Sequence, residues 1–472
     1  MTYVAPAGSI PTLTVPTLEG VKRVHMIGVG GAGMSGIARI LLAMGIDVSG
    51  SDLKDSKMLR ELERAGARVF AGHRAGQLGD PDVVVVSTAI PERNPELYEA
   101  RARHLPVLAR IQMLAALGHG KATYGISGTH GKTTTTSMLA VILESAGLDP
   151  TYVIGGDLNE IGSGARYGKG SPFVVEADES DGSFLLLSPD VAVVTNVEED
   201  HLDFYGGGAS EIQAAFAEFF RRSRKAVACG DDEGVRAALR MSDSDATTYG
   251  LGPENDAVLT IREAPAGQAK GILRIGADDV GFTVRSPGVH NLLNASAALL
   301  AAGMAGVELN VAAKALEGFG GVRRRFEYRG KARGADFFDD YAHHPSEIAA
   351  TLAAARGMAP RRLVAIFQPH RYSRTEAQWR GMGKAMAAAD VAVITDVYAA
   401  GEEPIPGVSG KLLVDALSES NPRKRLVYVP RRSDLAGFLV SEVRAGDMVL
   451  TLGAGDITMV AAETLERIRE AE

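Results

Sequence analysis

Gly128-Thr-His-Gly-Lys-Thr-Thr-Thr-Thr136 stands between an apolar run, Ala122 to Ile126, and a helix-like stretch, Ser137 to Leu143. A glycine-rich turn leading from a strand into a helix aims backbone N–H groups and the positive helix end at one point, which suits phosphate. Lys132 is then placed to neutralise β- and γ-phosphates, and the Thr133 hydroxyl to face a magnesium ion. This predicts ATP binding on a strand–turn–helix unit. A standard G-x-x-x-x-G-K-[ST] loop has a first glycine where this chain has Ile126, so the loop is a shorter form. The alternative for the same letters is a threonine-rich helix start with a chance Gly-Lys pair.

Upstream, a strand from Val24 to Val29 runs into Gly28-Val-Gly-Gly-Ala-Gly33, followed by a helix from Met34 to Met44. A second short strand, Asp47 to Gly50, precedes Asp52, about where a dinucleotide fingerprint places its ribose-binding acid. A third, Val83 to Val86, leads to Ser87 and Thr88. Alone, this reads as a dinucleotide site. Downstream, Phe173-Val-Val-Glu-Ala-Asp-Glu-Ser-Asp181 puts acids directly after a strand, and the run Val191 to Thr195 ends in Asn196-Val-Glu-Glu-Asp-His-Leu-Asp203. Acids this dense at the carboxyl edge of a parallel sheet are costly without a cation, so magnesium is the expectation and a solvated acidic loop the alternative. A last series of apolar runs, Leu363–Phe367, Val391–Thr395, Leu426–Val429 and Met448–Leu452, alternates with Ala-rich helical stretches. Repeated strand–helix alternation predicts largely parallel sheets.

With 472 residues the chain is too long for one core, and 55 glycines suit an α/β protein with many tight turns. A net charge of −8 argues against nonspecific nucleic-acid affinity as the main activity. One cysteine, Cys229, excludes an intramolecular disulfide and a multi-cysteine metal cluster, and points to a reducing compartment, the cytoplasm. Pro6, Pro11 and Pro16, without a basic start or a long apolar core, read as a loose leader over residues 1–20, neither signal peptide nor membrane span.

The ordered set Gly128–Thr133, Glu176 with its acidic followers, Asn196 with Asp200-His-Leu-Asp203, His290-Asn-Leu-Leu-Asn294 and Arg324-Arg-Phe-Glu327 resembles the ATP-dependent Mur ligases, from about Val21 to the C-terminus. The resemblance implies an α/β fold in three domains with mostly parallel sheets. These are a Rossmann-like UDP-sugar domain (21–118), a central P-loop-type ATP and Mg2+ domain (119–322) and a Rossmann-like amino-acid domain (323–472). Within the family, Gly33-Met-Ser-Gly36, Asp339-Asp-Tyr-Ala-His-His-Pro345 and Phe367-Gln-Pro-His-Arg-Tyr-Ser-Arg374 imply UDP-N-acetylmuramate and L-alanine as substrates. A tripeptide-recycling relative that shares the histidine pair is expected to differ at the first and last of these.

By the same resemblance, Gly28, Gly30, Gly31, Gly33, Met34 and Ser35 approach a UDP-sugar diphosphate, with Asp52, His73, Ser87 and Thr88 near the nucleotide and no nicotinamide. ATP phosphates fall to Gly128, Thr129, His130, Gly131, Lys132, Thr133 and Thr134, with Arg325 on the γ-phosphate. Metal ligation falls to Thr133, Glu176 and His201, and adenine to the neighbourhood of His290, Asn291 and Asn294, whose amides can match both edges of the base. Arg371 and Arg374 resemble the residues that hold the amino-acid carboxylate, with Tyr341 and His343 close by, and a planar guanidinium suits that group. Two arginines three apart also fit a solvated helix face. Sister ligases that carry a carbamylated lysine have it after the Asp-His motif, where Ile212 to Phe220 here contains none, so no carbamate ligand is expected. No nucleic-acid partner is expected, and the chain should be a monomer or weak homodimer. Two other readings stay open: a nicotinamide oxidoreductase resting on Gly28, Gly30, Gly33 and Asp52, and a nonenzymatic ATP switch.

Overall fold

The computed structural model describes residues 16–155, 164–201 and 204–471; Pro6, Pro11 and Asp203 lie outside them. The chain forms two compact units, the first comprising residues up to 261 with 271–283 and 293–319, the second 262–270, 284–292 and 320–472.

Two sheets belong to the first unit. One has five strands in the order Arg68–Ala71, Asp47–Asp52, Arg23–Ile27, Val83–Val86, Val107–Ala109, all paired in parallel. Val83–Val86 is apolar throughout because both faces of the sheet are covered: Val24, Met26, Val83 and Val85 enter one core, while Ile27, Val84 and Val86 enter another. The strand expected at Asp47–Gly50 runs on to Asp52, and the helix expected from Met34 begins at Ala32. Strands Arg68–Ala71 and Val107–Ala109 are too short for a clear sequence period.

The second sheet has ten strands and at its centre sets Ala122–Ser127 between Pro172–Glu176 and Val191–Val194, parallel to both. Three carboxyl ends therefore lie side by side, carrying the lysine loop, the first acidic run and the Asn196 segment. That is the edge where open parallel sheets bind ligands. Cys229 ends the strand Lys225–Cys229, buried, with its thiol pushed up to about 11 mainly by burial.

The second unit is built on a six-stranded sheet, parallel except for the edge strand Glu327–Ala332, which pairs antiparallel with Ala335–Asp340. Along Arg362–Phe367, Leu363, Ala365 and Phe367 face one core and Val364 and Ile366 the other. Among the described residues, no helix is long and apolar enough to cross a membrane.

Candidate active site

The lysine loop closes on Gly131, which sits at φ +83° at the start of the helix Lys132–Ser145. A side chain there would be strained, and its Cβ would lie 2.5 Å from Asn294 Oδ1. Asn196 clamps the loop from the neighbouring strand end: its Oδ1 accepts from His130 N at 2.8 Å, and its Nδ2 donates to His130 O at 3.0 Å. Glu198 N donates to Thr129 Oγ1 at 2.9 Å. Thr136 and Ser137 hydroxyls donate back to Lys132 O and Thr133 O, settling helix-poor residues inside the helix.

Lys132 Nζ reaches back to Gly128 O at 2.6 Å and to Glu179 Oε1 at 2.9 Å. Burial works against its charge, but Glu179, Asp178 and Glu176 outweigh burial and hold the ammonium's pKa above its ordinary value. Glu179 is 2% exposed, and burial, offset in part by Lys132, pushes its carboxyl up to about 7. Its Oε2 is buried with no hydrogen-bond partner among the described residues. Asp178 moves the other way: burial raises it, yet Lys132, Ser180 N, Arg110 and His201 together hold it below the usual carboxylate range. His201, in a left-handed backbone conformation at φ +55°, places Nε2 3.8 Å from Glu179 Oε1 and 3.6 Å from Asp200 Oδ2. Glu176 Oε2 accepts from Gly155 N at 2.9 Å.

The structure thus brings Lys132, Glu176 and His201 into one electrostatic cluster and adds Asp178 and Glu179. The sequence showed the acidic run, but which carboxyl turns toward the lysine depends on tertiary packing. Tyr205 is a further addition, its hydroxyl donating to Glu179 O at 2.6 Å.

On the first sheet, Gly30 N donates to Asp52 Oδ2 at 2.9 Å, and a Cβ on Gly30 would meet that oxygen at 2.8 Å. Leu53 N occupies Asp52 Oδ1 at 2.8 Å, so Asp52 braces the glycine loop. Met34 is packed in the core and Ser35 is buried with its N–H on Gly31 O, whereas Gly31 is exposed and Gly33 is half-buried. Arg110 lies over Gly33, its Nη1 3.1 Å from where a Gly33 Cβ would be. Ser87 and Thr88 follow the strand Val83–Val86 at the same edge.

His290, Asn291 and Asn294 share the helix Val289–Met304. Asn291 Nδ2 donates to Ser286 Oγ at 3.0 Å and Pro287 O at 2.8 Å, so this amide holds the turn before its helix.

In the second unit, Arg324 and Arg325 lie over the Tyr341 ring, 4.8 and 5.1 Å from its centroid. Arg325 Nη1 is 3.5 Å from Glu347 Oε1, whereas Arg324 donates to Gly453 O and Gly455 O. His343 meets Tyr341 edge-on at 5.3 Å and His370 at 6.0 Å, and His370 stacks on Tyr398. Burial, then Arg374 and Arg371, push the His370 imidazole down to about 4, which keeps it neutral near pH 7. Its Nδ1 is buried with no partner among the described residues. Arg371 Nε donates to Glu402 Oε1 at 2.6 Å, and Ser373 N and Oγ donate to the same carboxylate. The expected group Tyr341, His343, Arg371 and Arg374 is therefore gathered in one place, with His370 among it.

Residues 23–122 match the Mur ligase family, catalytic domain; 126–302 the Mur ligase middle domain; and 324–455 the Mur ligase, glutamate ligase domain. The chain belongs to the Mur ligase family. Among Mur ligases, it is 46% identical over 457 residues to the UDP-N-acetylmuramate--L-alanine ligase of Pelotomaculum thermopropionicum, covering 95% of this chain and 98% of that one. It is 44% identical to the protein of the same name from Geotalea daltonii, covering 96% and 99%. The crystal structure of the UDP-N-acetylmuramate-alanine ligase of Thermotoga maritima superposes with a TM-score of 0.81 at 30% identity, covering 95% of this chain and 100% of that one. A murein peptide ligase from Psychrobacter arcticus gives 0.67 at 26% identity, covering 95% and 98%.

Proposed function

We propose that this Mur ligase joins L-alanine to the lactyl carboxylate of UDP-N-acetylmuramate with hydrolysis of ATP to ADP and phosphate. This is the first peptide-forming step of peptidoglycan precursor synthesis, carried out in the cytoplasm. The observation that carries the reading is the part-buried Lys132 at the lysine loop, paired with Glu179 and acting on Asp178, in a chain similar along nearly its whole length to ligases of that name.

The lactyl carboxylate attacks the γ-phosphorus to give an acyl phosphate and ADP; the alanine amine then adds to the acyl carbon and phosphate leaves. Both steps concentrate negative charge, so fixed cations and oriented N–H groups are what the protein must supply. Lys132, charged throughout, moves from Glu179 to the triphosphate when ATP enters, while the loop held by Asn196 keeps its N–H groups aimed at the phosphates. The residues fit magnesium: the orphaned Glu179 Oε2 and the ionised Asp178 are hard oxygen donors in a desolvated pocket, with Glu176, Thr133 and His201 completing the donor set. When bound, the ion supplies Lewis-acid neutralisation of phosphate and carboxylate charge. Arg374 takes the alanine carboxylate, and the neutral His370, with its unpartnered Nδ1 in the tautomer protonated at Nε2, accepts a hydrogen bond from the alanine nitrogen, which loses its proton to solvent before it adds to the acyl carbon.

The test is phosphate release from ATP, scanned across amino acids with and without UDP-N-acetylmuramate. Release should require both co-substrates and be fastest with alanine. Release with NADH oxidation, or release without any sugar nucleotide, would return the protein to the oxidoreductase or switch reading.

A further inference from the structure

Beneath the carboxyl edge of the five-stranded sheet lies a polar network in which His25 Nε2 and Glu96 Oε1 make no hydrogen bond among the described residues. Glu96, fully buried in the first turn of the helix Pro95–Ala102, accepts from Ser51 Oγ and from His73 Nδ1, the latter at 3.1 Å. His73 Nδ1 is also 2.9 Å from Ser51 Oγ. On the other side, the fully buried His25 sets Nε2 3.5 Å from Glu96 Oε1 and Nδ1 2.9 Å from Ser49 Oγ. These five residues come from two strands, the segment after a third and one helix, and the other four lie 24 to 71 positions from His25. A buried carboxylate this deep is tolerated only because several donors converge on it.

Proton counting settles the histidine tautomer. Ser51 has one hydroxyl hydrogen, and it is given to Glu96. His73 Nδ1 therefore cannot accept from Ser51; it must donate, shared between Ser51 Oγ and Glu96. A neutral imidazole with hydrogen on Nδ1 presents a lone pair at Nε2. Burial raises the Glu96 carboxyl, but the contacts from His25, Ser51 and His73 bring it below its ordinary value, so it stays the acceptor this count requires. His73 follows the strand Arg68–Ala71 and keeps 13% of its side chain exposed, beside Ser51 and Asp52 at the strand end that faces the glycine loop. A lone pair there suits a donor hydrogen and not a phosphate oxygen. The Asp52 oxygens each already accept a backbone N–H, so the usual ribose acid of such a fold is engaged as a loop brace.

We infer that Glu96 is a positioning residue that fixes His73 with Nε2 as an acceptor for a donor hydrogen of the uridine, a ribose hydroxyl or the uracil N3–H. The inference rests on the UDP-sugar assignment of this domain.

The full chain should be titrated with UDP, 2′-deoxy-UDP, 3′-deoxy-UDP and N3-methyl-UDP by calorimetry, with 15N NMR of the histidine rings. In the parent, one analogue should bind roughly 10-fold more weakly than UDP, the size of one neutral hydrogen bond. In His73→Ala that penalty should vanish, because UDP itself has lost the same contact. Glu96→Gln should move the His73 proton from Nδ1 to Nε2 and raise the UDP-sugar KM by roughly 10-fold with kcat nearly unchanged. Ser51→Ala trims the same network but leaves Glu96 accepting from Nδ1, so its tautomer and its UDP affinity should match the parent, which separates positioning from general disruption. An Nε2–H tautomer in the parent, or an analogue penalty that persists in His73→Ala, would overturn the inference. Failure of the parent to bind UDP at all would instead overturn the assignment of the domain.

Discussion

Lys132 and the buried Glu179 form a part-buried ion pair, Nζ to Oε1 at 2.9 Å, although they lie 47 residues apart, beyond different strands of the same sheet edge. The lysine is thereby held charged and in place before a triphosphate arrives, and the carboxylate that holds it is one that magnesium can take over. Lys132→Ala should lower kcat by roughly three orders of magnitude or more, since it removes the main fixed cation from a phosphoryl-transfer site. UDP-N-acetylmuramate affinity, read by calorimetry, should stay within about two-fold, because the sugar nucleotide is assigned to the other sheet. A large affinity loss would mean the two ligands share Lys132.

The same pair gives a pH signature. Glu179 titrates at about 7 in the folded chain against an ordinary 4.5 when unfolded, so between these values the folded state holds a proton that the unfolded state has released. Stability of the metal-free protein should then fall as pH rises from about 5 to about 7.5, by on the order of 1–3 kcal/mol. Glu179→Gln, which cannot titrate, should show a flatter curve in thermal melts over that range. Parallel curves would show Glu179 ionised throughout.

Glu176→Ala and His201→Ala should each cut the maximal rate steeply, by roughly 100-fold or more, and raise the magnesium concentration needed for half-maximal activity. Activity at saturating magnesium within a few-fold of the parent would remove these two residues from the metal site.

The lysine loop was readable because its constraint is local, Gly131 needing its positive φ, and the first glycine loop because Asp52 stands at the strand end where such a fold places an acid. The parallel sheets were readable for a related reason, since strands such as Val83–Val86 are covered on both faces and so lose any polar alternation. What stayed hidden depends on partners distant in sequence. Nothing local separates Glu179 from Glu176 as the lysine's partner, or marks Asn196 as the clamp on His130. Arg371 could be assigned to a substrate from its motif, yet its partner Glu402 lies 31 residues on, beyond any periodic signal. Nothing in the sequence around Glu96 sets it apart, and only the fold shows it buried between two histidines.

Arg371 donates to Glu402, and Arg374 is the arginine assigned to the alanine carboxylate. Its truncation removes a charge-assisted contact of ~1.5–3 kcal/mol, so Arg374→Ala should raise the alanine KM by roughly 10- to 100-fold. The ATP KM should move far less, and Arg374→Lys should recover only part of the loss, since an ammonium lacks the two-pronged geometry. Steady-state kinetics with alanine and ATP varied separately decides it; equal defects for both would move Arg374 to the phosphates.

The central claim is that a carboxylate of the sugar nucleotide is phosphorylated on this protein before alanine is joined to it. UDP-N-acetylmuramate labelled with 18O in both lactyl carboxylate oxygens, turned over with ATP and L-alanine, tests it by mass analysis of the released phosphate. One 18O atom should appear in each phosphate, with one remaining in the new amide carbonyl. Unlabelled phosphate accompanying amide formation would contradict the acyl-phosphate route, and labelled substrate recovered unchanged while ATP is consumed would contradict the ligase itself.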